Sequence, residues 1–252
     1  MQQEVQKWLQ PMSRSSEPKD MIRSKRLVLG CGALVYDLTR LIKQNNALDQ
    51  IIDLRCLPAK LHNTPQLIAD KVDKFLQKHA QDYADIFVAY ADCGTAGELD
   101  TVLEKYHAQR LLGAHCYEFF AGTEAFNAIV DNELGSFFLT DYLVRFFDRL
   151  VVQGLGLDRY PELFDAYFKH YKKMVYLAQT EDKQLQAQAQ IHAQSFGLEY
   201  EYRYVGVEAL KPLVQNIKAQ DIKLKKAQRV IQSDLQTASE LVAKEGLAYV
   251  SG

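Results

Sequence analysis

Short apolar runs alternate with helical segments along most of the chain, and this alternation restricts the fold more than any other feature of the sequence. Such runs, bounded by glycine, proline or polar turns, are typical of strands. They lie at Leu27–Gly30, Ile51–Arg55, Ile86–Tyr90, Arg110–Leu112, Ser136–Thr140, Met174–Gln179 and 199–206. The pattern predicts an α/β fold, a doubly wound and mostly parallel sheet flanked by helices, with antiparallel pairing left open at its edge.

The sequence divides into three parts. Residues 1–24 are predicted to be an N-terminal arm that Pro11 interrupts, and residues 25–217 to be the α/β domain. Residues 218–252 are predicted to be a helical C-terminal extension, because apolar residues recur there every three to four positions. We expect this extension to pack on the domain or to form a homo-oligomer with a second copy.

Charge and hydropathy exclude several classes of function. Thirty Lys and Arg residues against 32 Asp and Glu residues give a net charge of -2, so the sequence predicts no nucleic-acid partner and no anionic-membrane partner. No apolar run is long enough to span a membrane, and the first residues lack a secretory signal. A cytoplasmic location is expected, where four cysteines are read as thiols or ligands rather than disulfides.

Each cysteine follows a different predicted strand. Cys31, Cys56, Cys93 and Cys116 all fall at strand exits. In an open parallel sheet these exits line one edge, where ligands bind, so the four sulfurs are predicted to meet in one crevice. The alternative is that the cysteines pack as small apolar residues.

A metal site is the leading hypothesis for this crevice. Zinc is bound by thiolates and imidazoles, and four thiolates hold an iron–sulfur cluster. The predicted ligands are Cys31, Cys56, Cys93 and Cys116. Zinc is favoured over the cluster because His115 and Glu118 flank Cys116. No C-x-x-C spacing supports either, so the prediction depends on the fold bringing the cysteines together.

Thiol chemistry without a metal is the alternative. Cys93 and Cys116 precede helices, whose dipoles favour thiolates, so either is a candidate nucleophile with His115 as its base, or a sensor of oxidation. Further catalytic candidates are Glu118 and Asp92. For substrate binding the candidates are His62, Asp141 and Arg145, the last two to orient an anion unless they form a solvated ion-pair row.

The glycine turn GCGALV gives a third interpretation, a nicotinamide or flavin site. It follows the first strand, and Asp53 lies about 20 residues further on, as the dinucleotide fingerprint requires. Val35 occupies the position of the third glycine, and Asp53 lies inside its strand. The motif is therefore incomplete.

Several longer blocks resemble a known family, domain of unknown function 1638. They are GCGAL, CLPAKLHNTP, YADCGT, GAHCYEFFAG, FFLTDYLVRFFDRLV, GLGLDRYPEL and MVYLAQT, in order from about Leu27 to about Val205. The resemblance implies an intracellular microbial protein associated with corrinoid-dependent methyl transfer and one-carbon metabolism. The chain lacks a D-x-H-x-x-G corrinoid-binding run, so a corrinoid would have to be carried by a partner protein.

These observations lead to one main hypothesis and two alternatives. The first is a metal-thiolate protein, possessing zinc or an iron–sulfur cluster, that acts as a transferase on a small molecule or on a methyl-carrier protein. The second is a non-catalytic accessory module for a methyltransferase or corrinoid protein. The third is a nicotinamide- or flavin-binding oxidoreductase.

Overall fold

The structure, a computed structural model, describes residues 25–132 and 135–207. The predicted arm at residues 1–24 and the predicted extension at residues 218–252 lie outside the described residues. The remainder is an α/β fold with two parallel sheets.

The first sheet has four strands in the order β2-β1-β3-β4, all paired in parallel. Its elements are β1 (Arg26–Cys31), α1 (Val35–Lys43), α2 (Asn46–Ile51), β2 (Ile52–Leu57), α3 (Ile68–His79), β3 (Asp85–Ala89), α4 (Glu98–Glu104) and β4 (Gln109–Arg110). Short 3-10 turns at Gly32–Leu34, Ala59–Asn63, Pro65–Leu67 and Ala80–Asp82 join some of them. Leu27, Val28 and Leu29 are at most 1% exposed, so both faces of β1 are covered.

The second sheet has three strands in the order β5-β6-β7, again all parallel. Its elements are α5 (Glu118–Ala121), α6 (Thr123–Asn132), β5 (Ser136–Thr140), α7 (Asp141–Arg145), a π-helix (Asp148–Val152), α8 (Leu163–Phe168), β6 (Lys173–Ala178), α9 (Lys183–Ser195) and β7 (Glu199–Tyr204). From Met174 to Ala178, β6 is fully buried and forms the centre of this sheet.

The predicted α/β class and all seven predicted strands are confirmed, with two differences in pairing. The strands form two sheets, because β4 pairs through only two residues and offers little edge for a further strand. The antiparallel pairing that the sequence left open at the edge is not found among the described strands, since β7 runs parallel to β6. The 13-residue helix α9 provides the crossover that parallel pairing requires.

The two sheets meet where their strands end. Asn63, which follows β2, donates a hydrogen bond of 2.6 Å to the carbonyl of Leu150 in the π-helix. The rings of Tyr36, near the start of α1, and Tyr142, near the start of α7, lie 5.9 Å apart. Residues that follow β1 and β2 in the chain therefore pack against residues that follow β5. No helix among the described residues is long and apolar enough to cross a membrane.

A buried carboxyl group lies at this junction. Asp37 in α1 is 7% exposed, and burial raises its pKa from 3.8 to about 7. The guanidinium of Arg40, 3.3 Å away, lowers the pKa of Asp37, whereas the nearby Asp141 carboxylate raises it. Asp37 is therefore a weaker acid in the folded protein than in the unfolded chain.

We expect the substitution Asp37→Asn to stabilise the protein above neutral pH. The folded state holds the Asp37 proton up to about pH 7 whereas the unfolded chain releases it near 3.8, so the wild type loses unfolding free energy as pH rises through that window. The variant avoids this loss, which amounts to at most about 4 kcal/mol above pH 8. Urea unfolding from pH 5 to 8 measures the difference, with exposed Asp49→Asn as the control. Identical pH slopes for wild type and Asp37→Asn would contradict the expectation.

Candidate functional site

The sulfurs of Cys93 and Cys116 lie 2.9 Å apart, within hydrogen-bonding distance. Cys93 follows β3, and Cys116 lies between β4 and α5. Both cysteines are half-buried and both are free thiols. The fold thus brings together two residues that are 23 positions apart in the sequence.

Backbone hydrogen bonds hold the two cysteine loops together. The Cys93 N–H donates to the carbonyl of Ala114 at 2.8 Å, and the Asp92 N–H donates to the carbonyl of Gly113 at 3.1 Å. The carboxylate of Glu118 accepts a hydrogen bond from the Ala114 N–H at 3.2 Å. Gly113 has φ of +106°, and a Cβ there would lie 2.2 Å from a Glu118 carboxylate oxygen. Glycine is favoured at this position by its positive φ, and any larger residue would displace the Glu118 carboxylate.

Asp92 closes the turn that presents Cys93. Its carboxylate accepts hydrogen bonds from the backbone N–H groups of Gly94, Ala96 and Gly97 and from the hydroxyl of Thr95, at 3.0–3.3 Å. Burial opposes its ionisation, but these donors lower the pKa of Asp92 below its ordinary value. The turn places Cys93 in the left-handed region, with φ of 50°. Asp92, predicted as an acid or base, has the structural task of holding this turn.

The hydrogen bond between the two thiols makes them unequal. The bond from Cys116 lowers the pKa of Cys93 against the opposing effect of burial, and the same bond raises the pKa of Cys116. Backbone groups of Cys116 and Ala91 lower the pKa of Cys93 further, while Asp92 opposes them. Cys93 is therefore the thiol that ionises first, and Cys116 donates a hydrogen bond to the resulting thiolate.

Arg110 is a charged neighbour of Cys93 that the sequence did not identify. Its guanidinium binds the Asp100 carboxylate at 2.5 and 2.8 Å and the Leu111 carbonyl at 2.8 Å. Its side chain is only 16% exposed, and it lies close enough to Cys93 for the two charges to interact. An Asp at 100 and an Arg at 110 fall in separate elements, so no local pattern indicates this pair.

Cys31 lies buried beside the thiol pair. Its sulfur accepts a hydrogen bond from the Ala33 N–H at 3.5 Å, and burial raises its pKa to about 11. A charge on Cys31 would interact with charges on Cys93, Cys116 and Cys56. Tyr90, 1% exposed, lies next to Cys31, and its hydroxyl has no hydrogen bond of ordinary geometry within the described part of the chain.

The structure does not gather all four cysteines into a ligand set. Cys56 lies within the edge strand β2, paired opposite Gly30, and is exposed. Within residues 25–132 and 135–207, no group of three or more His, Cys, Asp or Glu side chains is arranged to hold a metal ion. The described donors therefore do not fit a zinc or iron–sulfur site, whose ligands number three or four.

The two predicted histidines lie around the thiols rather than between them. His115 is exposed and its ring packs edge-on against Phe126, with centroids 6.3 Å apart. His62 lies 3.0 Å from the hydroxyl of Tyr117, and its pKa is lowered by desolvation and by His115. The sequence predicted His115 as the base for a cysteine thiol. In the structure the Cys93 sulfur contacts the sulfur of Cys116, the residue after His115.

The predicted anion-binding residues already have protein partners. The Asp141 carboxylate, 8% exposed, accepts hydrogen bonds from the Tyr176 hydroxyl, the Gln179 N–H and the Thr180 hydroxyl at 2.7, 2.9 and 2.5 Å. Arg145 pairs with Asp182 at 3.5 Å. Asp141 cross-links the exits of β5 and β6, and the helix that begins at Asp141 ends at Arg145.

Packing accounts for the glycine turn. A Cβ on Gly32 would lie 2.9 Å from the Leu57 carbonyl and from the Ala59 nitrogen, and one on Gly30 would lie 3.0 Å from Leu38. Asp53 accepts a hydrogen bond of 2.6 Å from Tyr83 and pairs with Arg55. The glycines let β1 and β2 leave the sheet side by side.

Comparison with known proteins gives a family and no activity. The family model described as a protein of unknown function (DUF1638) matches residues 56–214, so it begins later than the resemblance seen from about Leu27 and ends later than Val205. No curated protein matches significantly. Among solved structures, ornithine carbamoyltransferase from Pyrococcus furiosus is 14% identical with a TM-score of 0.19, a similarity too low to support an argument. The match covers 82% of this chain and 62% of that one.

We expect Gly113→Ala to disrupt the thiol pair. The new Cβ meets the Glu118 carboxylate, and φ of +106° is strained for alanine, so the Ala114 carbonyl moves away from the Cys93 N–H. Alkylation of Cys93 by iodoacetamide at pH 7 should slow by about tenfold, as expected for about 1.4 kcal/mol of lost thiolate stabilisation. Gly122→Ala is the matched control, because Gly122 has φ of +80° but open space around it. Equal rates in the two variants would contradict this role for Gly113.

Replacing Cys116 should raise the pKa of Cys93. Cys116→Ala removes the hydrogen-bond donor, whereas Cys116→Ser keeps a hydroxyl donor, so the pKa of Cys93 should rise more in the alanine variant. The pH dependence of Cys93 alkylation measures both values, with the alkylated residue identified by mass spectrometry. An unchanged profile in Cys116→Ala would show that the hydrogen bond does not acidify Cys93.

Proposed function

The chain belongs to the DUF1638 family of proteins of unknown function, and we propose that it is a thiol-dependent protein that exchanges disulfides with a small molecule or a carrier protein. The reacting pair is Cys93 and Cys116. The observation that carries the proposal is their sulfur–sulfur distance of 2.9 Å.

The unequal acidity of the pair suits thiol–disulfide exchange. A thiolate is the attacking species, and a second thiol within reach resolves the mixed disulfide. Cys93 has the lowered pKa, and Cys116 stands beside it with its proton retained. Arg110 supplies a positive charge near Cys93.

The exchange proceeds in two balanced steps. The Cys93 thiolate attacks one sulfur of a substrate disulfide, forming a mixed disulfide and releasing a substrate thiolate, which takes a proton from Cys116. The Cys116 thiolate then attacks the Cys93 sulfur, forming the Cys93–Cys116 disulfide and releasing the second substrate thiolate, which is protonated by water. The two cysteines give the substrate two electrons. Of the two protons that the substrate gains, one comes from Cys116 and one from water, which balances the proton that Cys93 releases to water when it ionises.

The metal and corrinoid hypotheses stay predictions. Two thiolates on one tetrahedral zinc ion lie roughly 3.8 Å apart, so Cys93 and Cys116 would have to separate to bind it. The described residues also offer no third and fourth ligand in place. The accessory-module alternative likewise stays a prediction, and it differs in requiring no cysteine. Metal analysis of protein purified without oxygen, and co-purification of a partner with a cysteine-free variant, would test these two hypotheses.

Phenylarsine oxide provides a direct test of the proposal. It condenses with two neighbouring thiols, forming two As–S bonds and releasing one water, and a small dithiol reverses the reaction. Wild-type protein should bind one equivalent in this reversible form and Cys116→Ser should bind none. Cys93→Ser, which keeps Cys116 and the buried Cys31, should bind far more slowly than the wild type. Cys56→Ser is the matched control and should bind as the wild type does, because Cys56 lies within strand β2 and outside the two loops that carry Cys93 and Cys116. Unchanged binding by Cys93→Ser would overturn the proposal.

Oxidation equilibria supply the second readout. The protein is incubated with defined ratios of reduced and oxidised glutathione, and the free thiols are then alkylated. Cys93 and Cys116 should lose their alkylation together, in a single two-electron transition. Cys116→Ser should instead stop at a mixed disulfide between Cys93 and glutathione. Wild-type protein that stays fully reduced at every ratio would contradict disulfide exchange.

A further inference from the structure

We propose that Cys31 is a third reacting thiol, which receives the disulfide from Cys93 and Cys116 by internal exchange while the Tyr90 hydroxyl donates a hydrogen bond to its sulfur. This inference rests on the proposed function. It assigns to the same site a buried position in which the disulfide is stored.

The strand register places the three sulfurs at neighbouring exits. Gly30 of β1 pairs with Ala89 of β3, so the next residues, Cys31 and Tyr90, stand side by side. The loop after β4 is bound to Cys93 through the Ala114 carbonyl, at 2.8 Å, and it carries Cys116. Cys31 therefore lies at the strand exit beside the loop that carries Cys93, whose sulfur contacts that of Cys116.

The Tyr90 hydroxyl is a buried polar group beside Cys31. It is almost fully buried and has no hydrogen bond of ordinary geometry among the described residues. A buried polar group without a partner lowers stability, so it calls for a partner in some state of the protein. The neighbouring sulfur of Cys31 is a weak acceptor as a thiol and a strong acceptor as a thiolate. The Ala33 N–H already donates to this sulfur, so Tyr90 would be the second donor to a Cys31 thiolate, and both donors oppose the effect of burial.

Burial restricts Cys31 to internal chemistry. At 6% exposure, its sulfur is shielded from bulky external disulfides. The oxidant that can reach Cys31 from within the protein is a disulfide between Cys93 and Cys116. Cys93 and Cys116 are both half-buried, and in this proposal Cys93 receives the oxidising equivalents from outside while Cys116 passes the disulfide to Cys31.

The step is an isomerisation with no external reagent. Cys31 loses its proton, and its thiolate attacks the Cys116 sulfur of the Cys93–Cys116 disulfide. A Cys31–Cys116 bond forms, the Cys93–Cys116 bond breaks, and the leaving Cys93 thiolate takes up the proton. One disulfide is present before and after, and no electrons leave the protein. Cys93 is then free to react a second time while the disulfide lies buried.

Disulfide mapping tests this internal exchange, in which the disulfide moves from Cys93–Cys116 to Cys31–Cys116; it is called the relay below. Wild-type protein is oxidised with one equivalent of diamide, quenched with acid after increasing times, unfolded, alkylated and analysed by mass spectrometry. A Cys93–Cys116 link should appear first, followed by a Cys31–Cys116 link with free Cys93. Tyr90→Phe should slow the second link by about tenfold, because the anion loses a hydrogen bond, without lowering the thermal unfolding midpoint. Cys56→Ser should leave both links unchanged.

A second variant keeps the test decisive if Tyr90→Phe does not fold. Cys93→Ser cannot form the outer disulfide, so it should acquire the Cys31–Cys116 link only slowly with diamide, and Cys31→Ala should acquire only the outer link. If Cys31 stays fully alkylatable in oxidised wild-type protein, the relay is wrong while the proposed function survives. If no link forms and phenylarsine oxide does not bind, the proposed function itself fails. An unchanged rate in folded Tyr90→Phe would remove Tyr90 from the mechanism.

Discussion

Two backbone hydrogen bonds between neighbouring loops are the interaction on which the candidate site depends. They join Asp92 and Cys93 to the carbonyls of Gly113 and Ala114, and so continue the pairing of β3 with β4 beyond the point where regular strands end. Because β4 is only two residues long, these loop contacts fix the approach of Cys116 to Cys93. The thiol contact is therefore a product of backbone pairing, and the side-chain chemistry follows from it.

The division into two sheets gives this site its surroundings. The exits of β1 and β2 pack on the residues that follow β5, through Asn63 and through the ring pair of Tyr36 and Tyr142. Burial at that junction raises the pKa of Asp37 and keeps Cys31 away from solvent. On the other side, Tyr117 packs against Phe138 of the second sheet, with centroids 5.6 Å apart. The second sheet thus packs against the residue that follows Cys116, while Cys93 and Cys116 stay half-buried and Cys31 is buried.

Periodicity in the sequence predicts the seven strands, and the turn residues predict that each cysteine follows a strand. Sequence alone could not separate Cys56 from the others, because that distinction depends on how far each strand extends. β2 continues to Leu57, which leaves Cys56 inside an edge strand, whereas Cys93 and Cys116 occupy loops that can turn toward each other. The positions of Arg110 near Cys93 and of Tyr90 beside Cys31 were not predictable either. Both arise from packing between residues that are distant in sequence and carry no local motif.

The close approach of Glu118 to Gly113 links two positions that are five residues apart. The glutamate carboxylate fills the space that a side chain at 113 would need, and it also bonds the next backbone nitrogen. A change at either position acts on the other: a shorter residue at 118 leaves the Ala114 N–H without its acceptor, and a side chain at 113 is strained by the positive φ and displaces the carboxylate from that N–H. Among homologues the two sites should therefore co-evolve, and a chain that has lost the pair should also have lost the sulfur contact.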